Sequence, residues 1–84
     1  MNVKAITYYP KIEDIKKAVT ALKDVVAVTP LMENINYSRE FGANILLKRE
    51  DLQQVRSYKI RGAYNKISSL TKDELKNGIV CASA

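Results

Sequence analysis

Two apolar rhythms alternate along this chain, and their order constrains its fold more than any other feature. Ile12, Ile15, Val19, Leu22 and Val26 recur at helical spacing, which predicts an amphipathic helix from Ile12 to Val26. Glu13 and Asp14 fall in its first turn, where negative charge is favoured. Ile45, Leu46 and Leu47 form a continuous run inside Asn44–Lys48, which predicts a short strand buried on both faces, as in a parallel sheet. Helical spacing then returns at Ile60, Ala63, Tyr64, Ile67 and Leu70, predicting a helix from Lys59 to Leu70. Gly78–Ala82 reads as a second buried strand. Helix, strand, helix, strand is an α/β signature.

Turn and cap residues punctuate this order. Pro30 pushes Thr29 into an extended conformation and ends the first helix. A short helix is expected from Ile35 to Phe41, with Gly42 as its C-terminal cap. Thr71 and Glu74 fit a capping box, and Asn77-Gly78 closes the short helix that follows. Met1–Pro10 carries little pattern. The connection Glu50–Tyr58 is crowded with Glu50, Asp51, Gln53, Gln54 and Arg56. Loops that follow strands in α/β folds are the usual ligand sites, although a solvated loop would have the same composition.

Composition excludes several chemistries. The chain has 84 residues, room for one small domain at most. It holds no histidine and a single cysteine, Cys81, so histidine-based nucleophile systems, internal disulfides and cysteine metal clusters cannot form from within these 84 residues. Neither a membrane-length apolar run nor a signal-peptide pattern is present, which makes a cytoplasmic location the expectation. The net charge of +5 admits an anionic partner, but the basic residues are mostly scattered. They gather only at Lys48, Arg49, Arg56, Lys59 and Arg61.

Lys59 stands at the mouth of its helix, where the positive end of the helix dipole repels an ammonium group. Arg56 and Arg61 act in the same sense. Such a setting favours the neutral amine that attacks carbonyls. A solvated surface lysine is the plainer alternative.

The words around Lys59 carry a resemblance. Lys48-Arg49-Glu50-Asp51-Leu52-Gln53 followed by Ser57-Tyr58-Lys59-Ile60-Arg61-Gly62-Ala63-Tyr64-Asn65 resembles the cofactor-lysine segment of the threonine ammonia-lyases (threonine dehydratases). These are pyridoxal-phosphate enzymes of the tryptophan-synthase-beta-like fold type. The likeness covers about 12–84 and is strongest over Leu46–Asn65 and Cys81–Ala84. It implies part of a two-domain open-sheet α/β fold, with the strand at Ile45 in the larger domain and that at Ile79 in the smaller. It implies pyridoxal 5'-phosphate as cofactor and deamination of L-threonine to 2-oxobutanoate and ammonia, in isoleucine biosynthesis or threonine catabolism. Serine dehydratases and serine racemases, acting on L-serine, are close alternatives within the same class. A small basic module binding nucleic acid or another anion is the alternative outside it. Glu50 and Asp51 beside the arginines disfavour a nucleic-acid groove.

The resemblance assigns roles residue by residue. Lys59 is the cofactor lysine and takes the substrate α-proton. Tyr58 stands where the family usually has phenylalanine stacked on the cofactor. Ser83 falls on a serine that assists proton transfer. Arg61 is expected to anchor structure by pairing with Glu50 or Asp51, and Gly62 to allow close approach of a backbone or of the cofactor. In the family Cys-Ala-Ser-Ala is followed by Gly-Asn-His. Residues 1–84 are therefore expected to be an N-terminal piece of a longer homo-oligomeric enzyme, short of a complete domain and inactive alone. Neither a nucleic-acid partner nor a membrane partner is expected, and unpaired edges and bare apolar faces should favour self-association.

Overall fold

The computed structural model of the chain describes residues 7–82. Helix α1 spans Ile12–Leu22 and ends four residues before the apolar pattern does. Asp24 explains the early stop. It adopts φ 64°, a left-handed conformation that a short polar side chain tolerates, and this turns the chain out of the helix. Val25 and Val26 still donate to Leu22 O at 3.0 and 3.2 Å, closing the end.

Strand β1 (Leu31–Glu33) follows Pro30 and pairs with β2 (Leu46–Lys48). The pairing is antiparallel, with Leu31 opposite Lys48, Met32 opposite Leu47 and Glu33 opposite Leu46. This corrects the expectation of a strand buried on both faces. All three β2 residues are exposed, because among the described residues no layer covers the two-stranded ribbon. A continuous apolar run reports faces that gain from cover, and says nothing of whether cover is present. Helix α2 (Ile35–Phe41) links the strands within the expected bounds. Asn34 Oδ1 accepts from the Tyr37 N–H at 2.9 Å, and Gly42 at φ 59° supplies the left-handed cap.

A single turn of 3-10 helix, Glu50–Leu52, leads from β2 toward helix α3 (Lys59–Ser68). Helix α4 (Lys72–Lys76) carries the expected capping box: Thr71 Oγ1 accepts from the Glu74 N–H, and Glu74 accepts from the Thr71 N–H. Gly78, at φ 77°, turns the chain after it. The expected strand Gly78–Ala82 is not formed. This segment has no regular structure, and Val80 is 99% exposed. A strand needs a neighbour for its backbone groups, and none lies beside it among the described residues.

The packing is sparse. Helices α1 and α3 lie against each other, yet Leu22 is the one buried hydrophobic residue among those described. Ile12, Ile15 and Val19 on the apolar face of α1 remain exposed. The radius of gyration is 17.4 Å, against about 12 Å for a compact domain of this length. An apolar face of this kind associates with other apolar surface. The isolated chain should therefore sediment as larger species as its concentration rises. A monomer at every concentration, unfolding cooperatively, would contradict this description. The Thr71→Ala variant should lose about 1 kcal/mol of local helix stability, read as weakened amide protection in α4.

Candidate active site

The site is built around Glu50. Its position at the head of the 3-10 turn puts its carboxylate between the segment after α1 and the start of α3. Arg61 Nε and Nη2 donate to Oε2 and Oε1 at 2.8 and 2.9 Å, a two-pronged guanidinium–carboxylate pair. The Thr29 hydroxyl donates to Oε1 at 2.6 Å. Gln53 Nε2 lies 3.4 and 3.3 Å from the two oxygens. Lys48 Nζ stands 4.0 Å from Oε1 and donates to the Thr29 carbonyl. Only 13% of the Glu50 side chain is exposed.

Gln53 extends this cluster backwards along the chain. Its Oε1 accepts from the Ala27 N–H and its Nε2 donates to the Ala27 carbonyl, both at 2.9 Å. The amide so completes the backbone pairing of a residue 26 positions earlier, as a neighbouring strand would. Gln53 is 1% exposed and Thr29 is 4% exposed. The Glu50–Tyr58 connection is thus neither a plain solvated loop nor wholly a ligand-facing one, because Glu50 and Gln53 turn inward. The sequence reading missed Gln53 and the Thr29 hydroxyl. A glutamine in a run of polar residues carries no periodic signal, and the partner at Ala27 is a backbone group.

The expected pairing of Arg61 with a carboxylate is met by Glu50. Asp51 pairs instead with Arg49, at 2.9 and 2.8 Å. Two of the clustered cations are thereby neutralised, which removes much of the basic patch that an anionic polymer would need. At Gly62 the expected close approach of a backbone is not found, since a Cβ placed there would meet no protein atom within 4 Å. Gly62 lines an open groove of about 930 Å³ between α1 and α3, together with Ile15, Val19, Val28, Arg61 and Asn65.

The clamp delivers Lys59. Lys59 is the first residue of α3, two positions before Arg61, and its backbone N–H donates to Ser57 Oγ at 3.3 Å. Tyr58 immediately precedes it and is 69% exposed, so a flat ring lies next to the amine-bearing residue. Ser83 lies outside the described residues. A pyridoxal phosphate group requires an amine for its aldehyde, an apolar surface for its ring and donors for its phosphate. Lys59 and Tyr58 fit the first two needs. Among the described residues no glycine-rich loop offers a phosphate cradle, Gly42, Gly62 and Gly78 being isolated.

Arg61 first, then the Thr29 hydroxyl, holds the Glu50 carboxyl down at about 2, against an ordinary 4.5. A lowered carboxylate value adds stability at pH above the unfolded value and loses it as pH falls through the folded one. The link between the 3-10 turn and α3 should therefore be intact above pH 4.5 and weaken progressively toward pH 2. Asp51 and Glu74, also lowered, act in the same direction. Amide protection at the start of α3 should fall over this window. In the Glu50→Gln variant it should start lower and change less with pH. An equal pH response in both proteins would contradict the clamp.

Comparison with known proteins shows what the chain is similar to. Residues 22–84 match the family described as "Pyridoxal-phosphate dependent enzyme". The chain is 58% identical over 74 residues to the "L-threonine dehydratase biosynthetic IlvA" of Halalkalibacterium halodurans, covering 88% of this chain and 18% of the relative. The protein of the same name from Bacillus subtilis is 51% identical over 74 residues, with the same coverage. That from Staphylococcus aureus is 50% identical over 72 residues, 86% of this chain and 17% of the relative. The chain thus spans less than a fifth of the length of these relatives. No helix among the described residues is long and apolar enough to cross a membrane. With three-quarters of its length inside the match, the chain belongs to the pyridoxal-phosphate dependent enzyme family.

Proposed function

We propose that this chain supplies the cofactor lysine of a lyase that deaminates L-threonine to 2-oxobutanoate and ammonia, the entry step of isoleucine biosynthesis. The observation that carries the reading is the placement of Lys59 at the first position of α3, with Tyr58 before it and the Arg61–Glu50 pair behind it. The names of the relatives support L-threonine as substrate. In this reading the fold is part of the two-domain open sheet of such enzymes, working in the cytoplasm as a homo-oligomer.

Bound pyridoxal phosphate supplies the electron sink that stabilises a carbanion at the substrate Cα. Three residues of this chain have a part in the reading. Lys59 would hold the cofactor through its Nζ amine. Once released, the same amine would serve as the base for the substrate Cα proton. Lysine suits both tasks, since its neutral form is at once a nucleophile and a base. Tyr58 offers its ring face to the cofactor, and a tyrosine keeps the flat apolar surface of the phenylalanine usual at this place. Ser83 is the further proton-transfer group in this reading.

The test is a chimera in which this chain replaces the segment it matches in the Bacillus subtilis relative. Lys59→Ala should lower threonine deamination by at least about a hundredfold, the scale on which removing an acid–base group acts. Lys59→Arg should fail equally, because a guanidinium keeps the charge but provides no neutral amine. A folded, cofactor-loaded Lys59→Ala chimera with full activity would refute the proposal. Tyr58→Phe should retain cofactor affinity, and Tyr58→Ala should weaken it by about 1 kcal/mol, measured by cofactor titration.

A further inference from the structure

We infer that Gln53 is a positioning residue for Lys59, acting through Glu50 and Arg61 to hold the start of α3 in place. The inference rests on the reading of Lys59 as the cofactor lysine. Gln53 is the most buried large side chain described, yet it is polar and lies only six positions before Lys59. Its amide is fully engaged. Oε1 takes the Ala27 N–H, and Nε2 gives one hydrogen to the Ala27 carbonyl and directs the other toward Glu50. Glu50 is thus held from one side by Gln53 and Thr29, and presents both oxygens to Arg61 on the other. Arg61 is the third residue of α3, and its backbone N–H donates to Tyr58 O at 3.2 Å. A slide or rotation of α3 against the 3-10 turn would break the fork at Glu50. A loosened Gln53 would let Glu50, and α3 with it, shift relative to the segment after α1.

Glutamine suits this place for a chemical reason. The site requires one acceptor for the Ala27 N–H and donors for both the Ala27 carbonyl and Glu50. A carboxylate would set an acceptor against the carbonyl and a second negative charge beside Glu50. The charged groups facing the position are Glu50 from the 3-10 turn, Arg61 from α3 and, 4.0 Å from Glu50, Lys48 from β2. A carboxyl introduced there is buried beside another carboxylate, and both effects raise its pKa. Once protonated it again offers a donor and an acceptor to Ala27, as the amide does. Arg61 and the Thr29 hydroxyl hold the Glu50 carboxyl low, so the introduced carboxyl is the one of the pair that takes up a proton first.

The experiment uses the same chimera at sub-saturating pyridoxal phosphate. It measures the fraction of Lys59 that carries a borohydride-reduced pyridoxyl group, located by peptide mass spectrometry. Gln53→Glu should reduce this fraction about tenfold at alkaline pH, the scale on which small misplacement of a reacting group acts. Its ratio to the unsubstituted chimera should recover toward one as pH falls to about 5. Gln53→Met, similar in length but unable to pair with Ala27, should be impaired at every pH. A residue needed only for general stability would lower the melting temperature without this recovery at Lys59. Unimpaired loading in both variants would overturn the inference and leave the role of Lys59 standing. Gln53→Glu that remains defective at low pH would overturn it as well. A pyridoxyl group on a different lysine of the unsubstituted chimera would overturn the reading of Lys59, and this inference with it.

Discussion

The Glu50 carboxylate is the interaction on which the described structure depends. With one buried hydrophobic residue among those described, apolar burial cannot be what fixes these elements. A clustered polar contact takes that part. Ion pairs at an exposed surface contribute little, because water screens them and long side chains lose freedom in forming them. Glu50 differs in being mostly shielded, in binding Arg61 with two parallel hydrogen bonds and in having its remaining capacity filled by Thr29 and Gln53. A shielded charge is tolerable when its hydrogen-bonding capacity is met in this way. The contacts join three parts of the chain that are remote in sequence: the segment after α1, the 3-10 turn after β2 and the head of α3.

In the proposed function, the place where these parts meet sets the position of Lys59. The short path from the clamp to the proposed cofactor lysine is Glu50 to Arg61, and then two residues back along one helix to Lys59. A helix is stiff over that distance, so fixing Arg61 fixes the Lys59 backbone. Catalysis by an amine that must bond to a cofactor and then remove a proton requires such placement, since reacting atoms have to be held close and aligned. The exposed ring of Tyr58 and the open groove beside Gly62 leave this end of α3 accessible.

Much of the local structure was legible in the sequence. The bounds of α2, the Gly42 cap, the Thr71–Glu74 capping box and the start of α3 at Lys59 follow from side-chain chemistry acting within a few residues. So does the pairing of Arg61 with Glu50, once the two are known to flank one turn. Departures occur where the outcome depends on neighbours. Val26 fits the helical pattern, but Asp24 turns the chain first. Leu46, Leu47, Ile79 and Val80 read as buried strand residues, yet burial requires a covering layer that no local pattern records. Gln53 was invisible for the converse reason. Its burial is determined by a backbone partner 26 residues away, and backbone groups leave no mark in a sequence.

The most direct measurement is a crystal structure of the chimera with pyridoxal phosphate bound. The account predicts density continuous from Lys59 Nζ to the cofactor, the Tyr58 ring against the cofactor face, and Arg61 still paired with Glu50. Density joining the cofactor to another lysine, or Lys59 pointing away from it while Arg61 and Glu50 stand apart, would contradict it.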